Sequence, residues 1–203
     1  MRWDRFFEDL EDQLASEWEA ERAALDTEAE RLRLSRVTLR ERLVALSADE
    51  GRATMPSFEF SDGTTLAGRP TAVGADWVGL EASGTRTGAA LVPLAAIVAV
   101  GMPEADVVRS ARPIAAAVRP SLAERMTLGF VLRDLARRRT SVGVHLCGGR
   151  TLTGTIDRAG VDHLDLALHD PGAQRRASEI SGVRLVPLAA IAWVRLDGVA
   201  ALG

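Results

Sequence analysis

Apolar residues at Trp3, Phe7, Leu10, Leu14 and Trp18, then at Leu25, Ala29 and Leu32, keep a spacing of three or four and draw one stripe along residues 2 to about 35. Glu, Asp, Arg, Leu and Ala fill most of the remaining positions, without proline or glycine, so the pattern predicts one long helix. Glu19 and Arg22, Glu28 and Arg31, and Glu30 and Arg33 stand three apart, where helical side chains meet. At about 1.5 Å per residue the helix extends roughly 50 Å, more than one small domain covers. A homodimer formed through residues 1–35 as a coiled coil is therefore expected, although Glu21, Glu28 and Arg36 occupy one side of the seam after Trp18.

Beyond this helix the period changes from helical to alternating. Val142, Val144 and Leu146 alternate, Cys147-Gly148-Gly149 makes a turn, and Leu152, Gly154 and Ile156 continue. After a second turn near Ala159-Gly160, Leu164, Leu166 and Leu168 alternate against His163, Asp165 and His169. An earlier stretch repeats the scheme with Phe58 and Phe60, the turn Asp62-Gly63, then Val78 and Leu80.

These are two copies of one unit. Leu-Val-Pro-Leu-Ala-Ala-Ile stands at 91–97 and again at 185–191. Thr65-Leu66-Ala67-Gly68 answers Thr151-Leu152-Thr153-Gly154, and Gly74-Ala75-Asp76-Trp77 answers Gly160-Val161-Asp162-His163. Upstream, Arg36-Val37-Thr38-Leu39 answers Arg125-Met126-Thr127-Leu128, each opening a short amphipathic helix. The offset between copies rises from 86 at the Gly-x-Asp step to 94 at the Val-Pro-Leu step, which gives the second copy eight extra residues around Pro171, Gly172, Arg175 and Arg176.

Strands this short and this few cover a core by bending round and closing. The unit resembles the SH3-like and Sm-like small β-barrels, in which a helix leads into strands that end on a Val-Pro-Leu-x-x-Ile passage. The resemblance implies an α+β fold, with a long N-terminal α-helix followed by two repeats of a short helix plus a small barrel of about five strands. The expected divisions are an acidic helix at 1–35, the first helix and barrel at 36–102, a Pro/Ala-rich linker at 103–120, and the second helix and barrel at 121–203. Ser121-Leu122-Ala123-Glu124 has capping-box spacing, so the second short helix is expected from about 121 to 138.

Composition narrows the chemistry. All 25 basic residues are arginine, which with the absence of lysine, tyrosine and asparagine reads as the codon bias of a GC-rich genome. Without lysine the chain forms no lysine Schiff base, holds no lysine-linked cofactor and completes no Walker A loop. The only cysteine, Cys147, excludes an intramolecular disulfide and fits a reducing compartment. Charges interrupt the apolar pairs of the opening residues, and the longest apolar run, Ala89 to Met102, is shorter than a membrane span and contains Pro93. A cytoplasmic protein with no membrane partner is expected.

His145, Cys147, His163 and His169 share the second unit but lack a metal-ligand spacing, and there is no Gly-x-Ser-x-Gly elbow. The expectation is a protein without catalytic residues, metal or cofactor. Asp76 and Asp162 recur at one repeat position and are read as turn residues. Arginine is the residue that suggests a ligand: Arg133, Arg137, Arg138 and Arg139 end the second short helix, and Arg175 and Arg176 lie in the insertion. Guanidinium forks bind phosphates in pairs of hydrogen bonds, and Sm-like barrels often bind RNA, so these six residues form the candidate ligand or nucleic-acid surface. Where RNA-binding Sm proteins carry an Arg-Gly pair, however, this chain reads Leu-Ala-Ala-Ile. The leading expectation is a non-enzymatic binding or scaffold protein that self-associates and engages a protein partner. An RNA-binding or transcription-associated regulator is the alternative.

Overall fold

The computed structural model describes residues 2–48, 55–83, 88–112, 122–171 and 176–196, without the side chains of residues 2–12 and of Ala177. The chain divides into two compact units, residues 1–38 and residues 39–203.

The first unit is the helix α1, Arg2–Arg36. Arg33 is paired with Glu30 at 2.5 Å and Arg31 with Glu28 at 3.8 Å, two of the three i, i+3 contacts expected of that spacing. Leu14, Trp18, Leu25 and Leu32 are exposed along it. The expected coiled coil is corrected: α1 is a helix without a clear coiled-coil repeat, because past Trp18 the apolar positions fall on one side only and Glu21 and Glu28 occupy the other.

The second unit holds α2 (Leu39–Ala48), β1 (Ser57–Phe60), β2 (Thr65–Val73), β3 (Trp77–Ala82), β4 (Ala89–Pro93), β5 (Ile97–Gly101), α3 (Glu104–Ser110), α4 (Leu122–Arg125) and α5 (Leu128–Arg138). The second set of strands follows as β6 (Ser141–Leu146), β7 (Thr151–Ala159), β8 (His163–Leu168), β9 (Gly182–Pro187) and β10 (Ile191–Leu196). Leu94–Ala96 and Leu188–Ala190 form the same tight 3-10 turn before the last strand of each half. The second short helix is broken at Met126-Thr127, where Thr127 is extended (φ −86°, ψ 160°) and a new helix starts at Leu128.

All ten strands belong to one antiparallel sheet in the order β5-β1-β2-β3-β4-β10-β6-β7-β8-β9. Two separate SH3-like or Sm-like barrels are not present, and this corrects the fold expected from the sequence. The duplication survives as strand order, since β5-β1-β2-β3-β4 is repeated as β10-β6-β7-β8-β9. Even the irregularities recur: the register shifts between Pro70 and Ala72 on β2 and between Ile156 and Arg158 on β7. Neither half closes on itself. Instead β4 pairs with β10, aligning Leu91 with Val194, Ala90 with Arg195 and Ala89 with Leu196. The edge that closure would have removed is satisfied by the other half of the chain.

This junction explains the two cores. Successive strand residues face opposite ways. On β4, Ala90 and Val92 therefore join the first core, with Leu43, Leu46, Phe58 and Leu80, while Leu91 joins the second, with Leu132, Leu135, Ile156 and Leu164. From β10, Ala192 and Trp193 enter the first core and Ile191, Val194 and Leu196 the second. Trp77 of the first half also lies in the second core. Each half is completed by side chains of the other.

Repeated glycines mark close approaches. A Cβ on Gly154 would lie 2.0 Å from the backbone oxygen of Ala167, and one on Gly68 2.9 Å from that of Glu81. At Gly74 and Gly160 it would strike the rings of Trp77 and His163.

Candidate binding surfaces

The arginine cluster starts from helix geometry. Phe130, Arg133 and Arg137 follow at i, i+3 and i+7, which places them on one face of α5. With Ala136 they line a groove of about 410 Å³ whose other wall is Asp157, Arg158 and Ala159 of β7. Asp134 holds both Arg137, at 2.8 Å, and Arg138, at 2.7 Å. Arg139 ends the helix in the left-handed region (φ 51°), its N–H donating to the carbonyls of Ala136 and Leu135. Arg138 and Arg139 are not among the residues lining the groove, and Arg176 opens the 3-10 turn Ala177–Glu179 between β8 and β9. Arg175 lies outside the described residues. Of the six arginines expected to act together, the groove thus brings together Arg133 and Arg137, and adds Arg158. Phe130 and Asp157, which sequence reasoning missed, complete it; the helical spacing from Arg133 was the signal for Phe130.

Asp76 and Asp162 share a backbone role, accepting the N–H of Leu94 at 2.9 Å and of Leu188 at 2.7 Å through their carbonyls. Their carboxylates diverge. Asp76 Oδ1 accepts the backbone N–H of Leu128 at 2.6 Å, at the first turn of α5. Asp162 is exposed and accepts from His163 Nδ1 at 2.8 Å, a bond that holds its carboxyl below the usual carboxylate range.

His145 stacks on Trp193 with ring centroids 3.6 Å apart and 13° between planes. The Trp193 indole donates to Asp62 Oδ2 at 3.0 Å, and Asp62 also receives the N–H and hydroxyl of Thr64. Burial pushes the His145 imidazole below its ordinary pKa. Asp62 Oδ2, 3.9 Å away, opposes this without overcoming it, and Arg195 adds to the lowering. His169 is buried against Thr155 Oγ1 at 2.9 Å and the Asp170 carbonyl at 3.0 Å. Among the described residues, no three His, Cys, Asp or Glu side chains gather as they would round a metal ion. His169 is thus accounted for by hydrogen bonds inside the fold, whereas His145 meets Thr151 Oγ1 through Nδ1 at 3.1 Å and leaves its buried Nε2 without a hydrogen-bond partner among the described residues.

The two ends of the sheet are the remaining surface. Val98 on β5 and Val183 and Leu185 on β9 are exposed apolar side chains on strands that, among the described residues, have one open edge each. Charge, proline or a bulge usually protects such edges. Residues 97–101 carry no charge and no proline.

Known proteins add no assignment. The chain matches no protein-family model, no curated protein and no solved structure. Among the described residues, no helix is long and apolar enough to cross a membrane.

Proposed function

We propose that the chain is a non-enzymatic scaffold that works by binding protein through the edges of its sheet. The observation that carries this reading is the exposure of Val98, Val183 and Leu185 on the two terminal strands. A strand edge offers a row of backbone donors and acceptors, and an arriving strand gains affinity from that row and selectivity from alternate side chains. The apolar residues of α1, Leu14, Trp18, Leu25 and Leu32, present a second exposed surface to such a protein partner. Tagged full-length chain captured with and without nuclease tests the reading against Leu185→Arg. Protein that resists nuclease and is lost from the variant supports it, and recovery of nucleic acid alone overturns it.

A second reading is favoured by the groove of Arg133, Arg137 and Arg158. Three guanidinium groups lining one groove, two from α5 and one from β7, suit phosphate oxygens, so the alternative partner is RNA or another polyanion. Binding through three phosphates would fall with salt at a log–log slope of about −2 on single strands. Retention of the chain on immobilised polynucleotide and on heparin over a salt series measures that slope, and no retention at low salt removes this reading.

A further inference from the structure

The internal junction shows what the open edges fit. Leu91 and Leu185 are the same residue of the repeated heptad, yet Leu91 is 0% exposed and Leu185 72%. The difference is that β4 has β10 along its outer edge, whereas among the described residues β9 is paired with β8 alone. The opposite end shows the same contrast: Ala192 on β10 is 0% exposed and its counterpart Val98 on β5 is 67%. The helix starts follow suit, since Leu128 on α5 is 4% exposed and its counterpart Leu39 on α2 is 41%. Three features buried at the junction are therefore bare at the ends of the sheet, and each bare feature has its complement at the opposite end.

We infer that β9 of one chain pairs with β5 of a second copy, head to tail, in the geometry of the internal β4–β10 junction. Carrying that register forward by one repeat aligns Leu185 with Val100, Arg184 with Gly101 and Val183 with Met102 of the second copy. The receiving groove exists. Leu39, Leu43, Leu46, Val98, Val100 and Met102 contribute to an apolar groove of about 270 Å³ between α2 and β5. It is the counterpart of the place where Leu91 meets α5 and β10, so Leu185 enters it as Leu91 enters the second core. Asp162 then takes the part of Asp76, its carboxylate reaching the first turn of the second copy's α2 as Asp76 reaches Leu128. Because the two edges differ, each pairing leaves one of each kind open, and the assembly grows until its ends meet or a filament forms.

This inference rests on the proposed binding role of the sheet edges and names the occupant. Its test uses full-length chain in sedimentation velocity over a concentration series, with Leu185→Arg, Val98→Arg and an equimolar mixture of the two. Wild type is expected to form multimers, and each variant alone to sediment as a monomer with an unchanged melting temperature. The mixture is expected to form a one-to-one dimer, because the intact β9 of Val98→Arg meets the intact β5 of Leu185→Arg. Asp162→Ala should weaken wild-type assembly on the order of fivefold, as loss of one helix cap does. A mixture that stays monomeric, or a Val98→Arg chain that still dimerises through β9 against β9, overturns head-to-tail pairing. Multimers of wild type that persist in both single variants place association elsewhere, in α1, and overturn both the pairing and the edge reading. A monomeric wild type that binds a different protein through β9 overturns the pairing and leaves the edge reading standing.

Discussion

Asp76 Oδ1 accepts the N–H of Leu128 at 2.6 Å, so a turn in the first half of the chain caps a helix in the second. The adjacent Trp77 indole donates to the Met126 carbonyl at 2.9 Å, and the Ala75 N–H reaches the same oxygen at 2.9 Å. Removing the carboxylate leaves a first-turn amide of α5 unpaired. Asp76→Ala should therefore lower stability by about 1 kcal/mol, and Asp76→Asn by less. Asp162→Ala, at the repeat counterpart, should lower the monomer's urea midpoint much less, since the exposed Asp162 carboxylate meets the neighbouring His163 rather than a helix amide. Equal losses at the two positions would contradict this division of roles.

The same interlocking predicts that the halves do not fold apart. Residues 39–112 would lack Ala192 and Trp193 in the first core, and residues 122–203 would lack Trp77 and Leu91 in the second. Each fragment should give no cooperative thermal transition, whereas the whole chain should give one. Ile191→Asp tests the coupling at a single position. A buried unpaired charge beside β6 should cost at least about 4 kcal/mol and abolish the transition of both halves together.

Much of this architecture is legible in the sequence, and its limit is physical. Alternation at Val142, Val144 and Leu146 tells which side chains share a face, and the repeated Leu-Val-Pro-Leu-Ala-Ala-Ile tells that the strands come in two like sets. Neither says which edges meet. Leu91 and Leu185 sit in identical heptads with opposite exposure, so local pattern alone could not distinguish a closed barrel from an open sheet joined at β4 and β10. The groove behaves similarly. Arg133 and Arg137 follow from helical spacing, whereas their meeting with Asp157 and Arg158 depends on how α5 lies on β7.

Glycine at the repeated Thr-Leu-x-Gly step offers a sharp packing test. A Cβ at residue 154 would lie 2.0 Å from the Ala167 oxygen, a distance that only separation of β7 and β8 relieves. Gly154→Ala should cost about 3 kcal/mol by overpacking. Gly148→Ala, where nothing lies within 4 Å, should be close to neutral. Urea midpoints of the two variants check the contrast.

His145 makes stability depend on pH in a predictable direction. Burial against Trp193 depresses its folded-state pKa below the value near 6.5 of the unfolded chain. Between those two values the unfolded chain binds the proton and the folded chain does not, so stability rises with pH. The contribution is complete above about pH 6.5 and is lost progressively as pH falls toward the folded-state pKa. Protonation would also place a charged ring beside Arg195, which already disfavours it, while Asp62 gives only partial compensation at 3.9 Å. His145→Gln should lower stability at every pH, because the stacked ring is lost, and should flatten the difference between midpoints at about pH 7.5 and about pH 5.5. A variant that keeps the full wild-type difference would assign the dependence to another group.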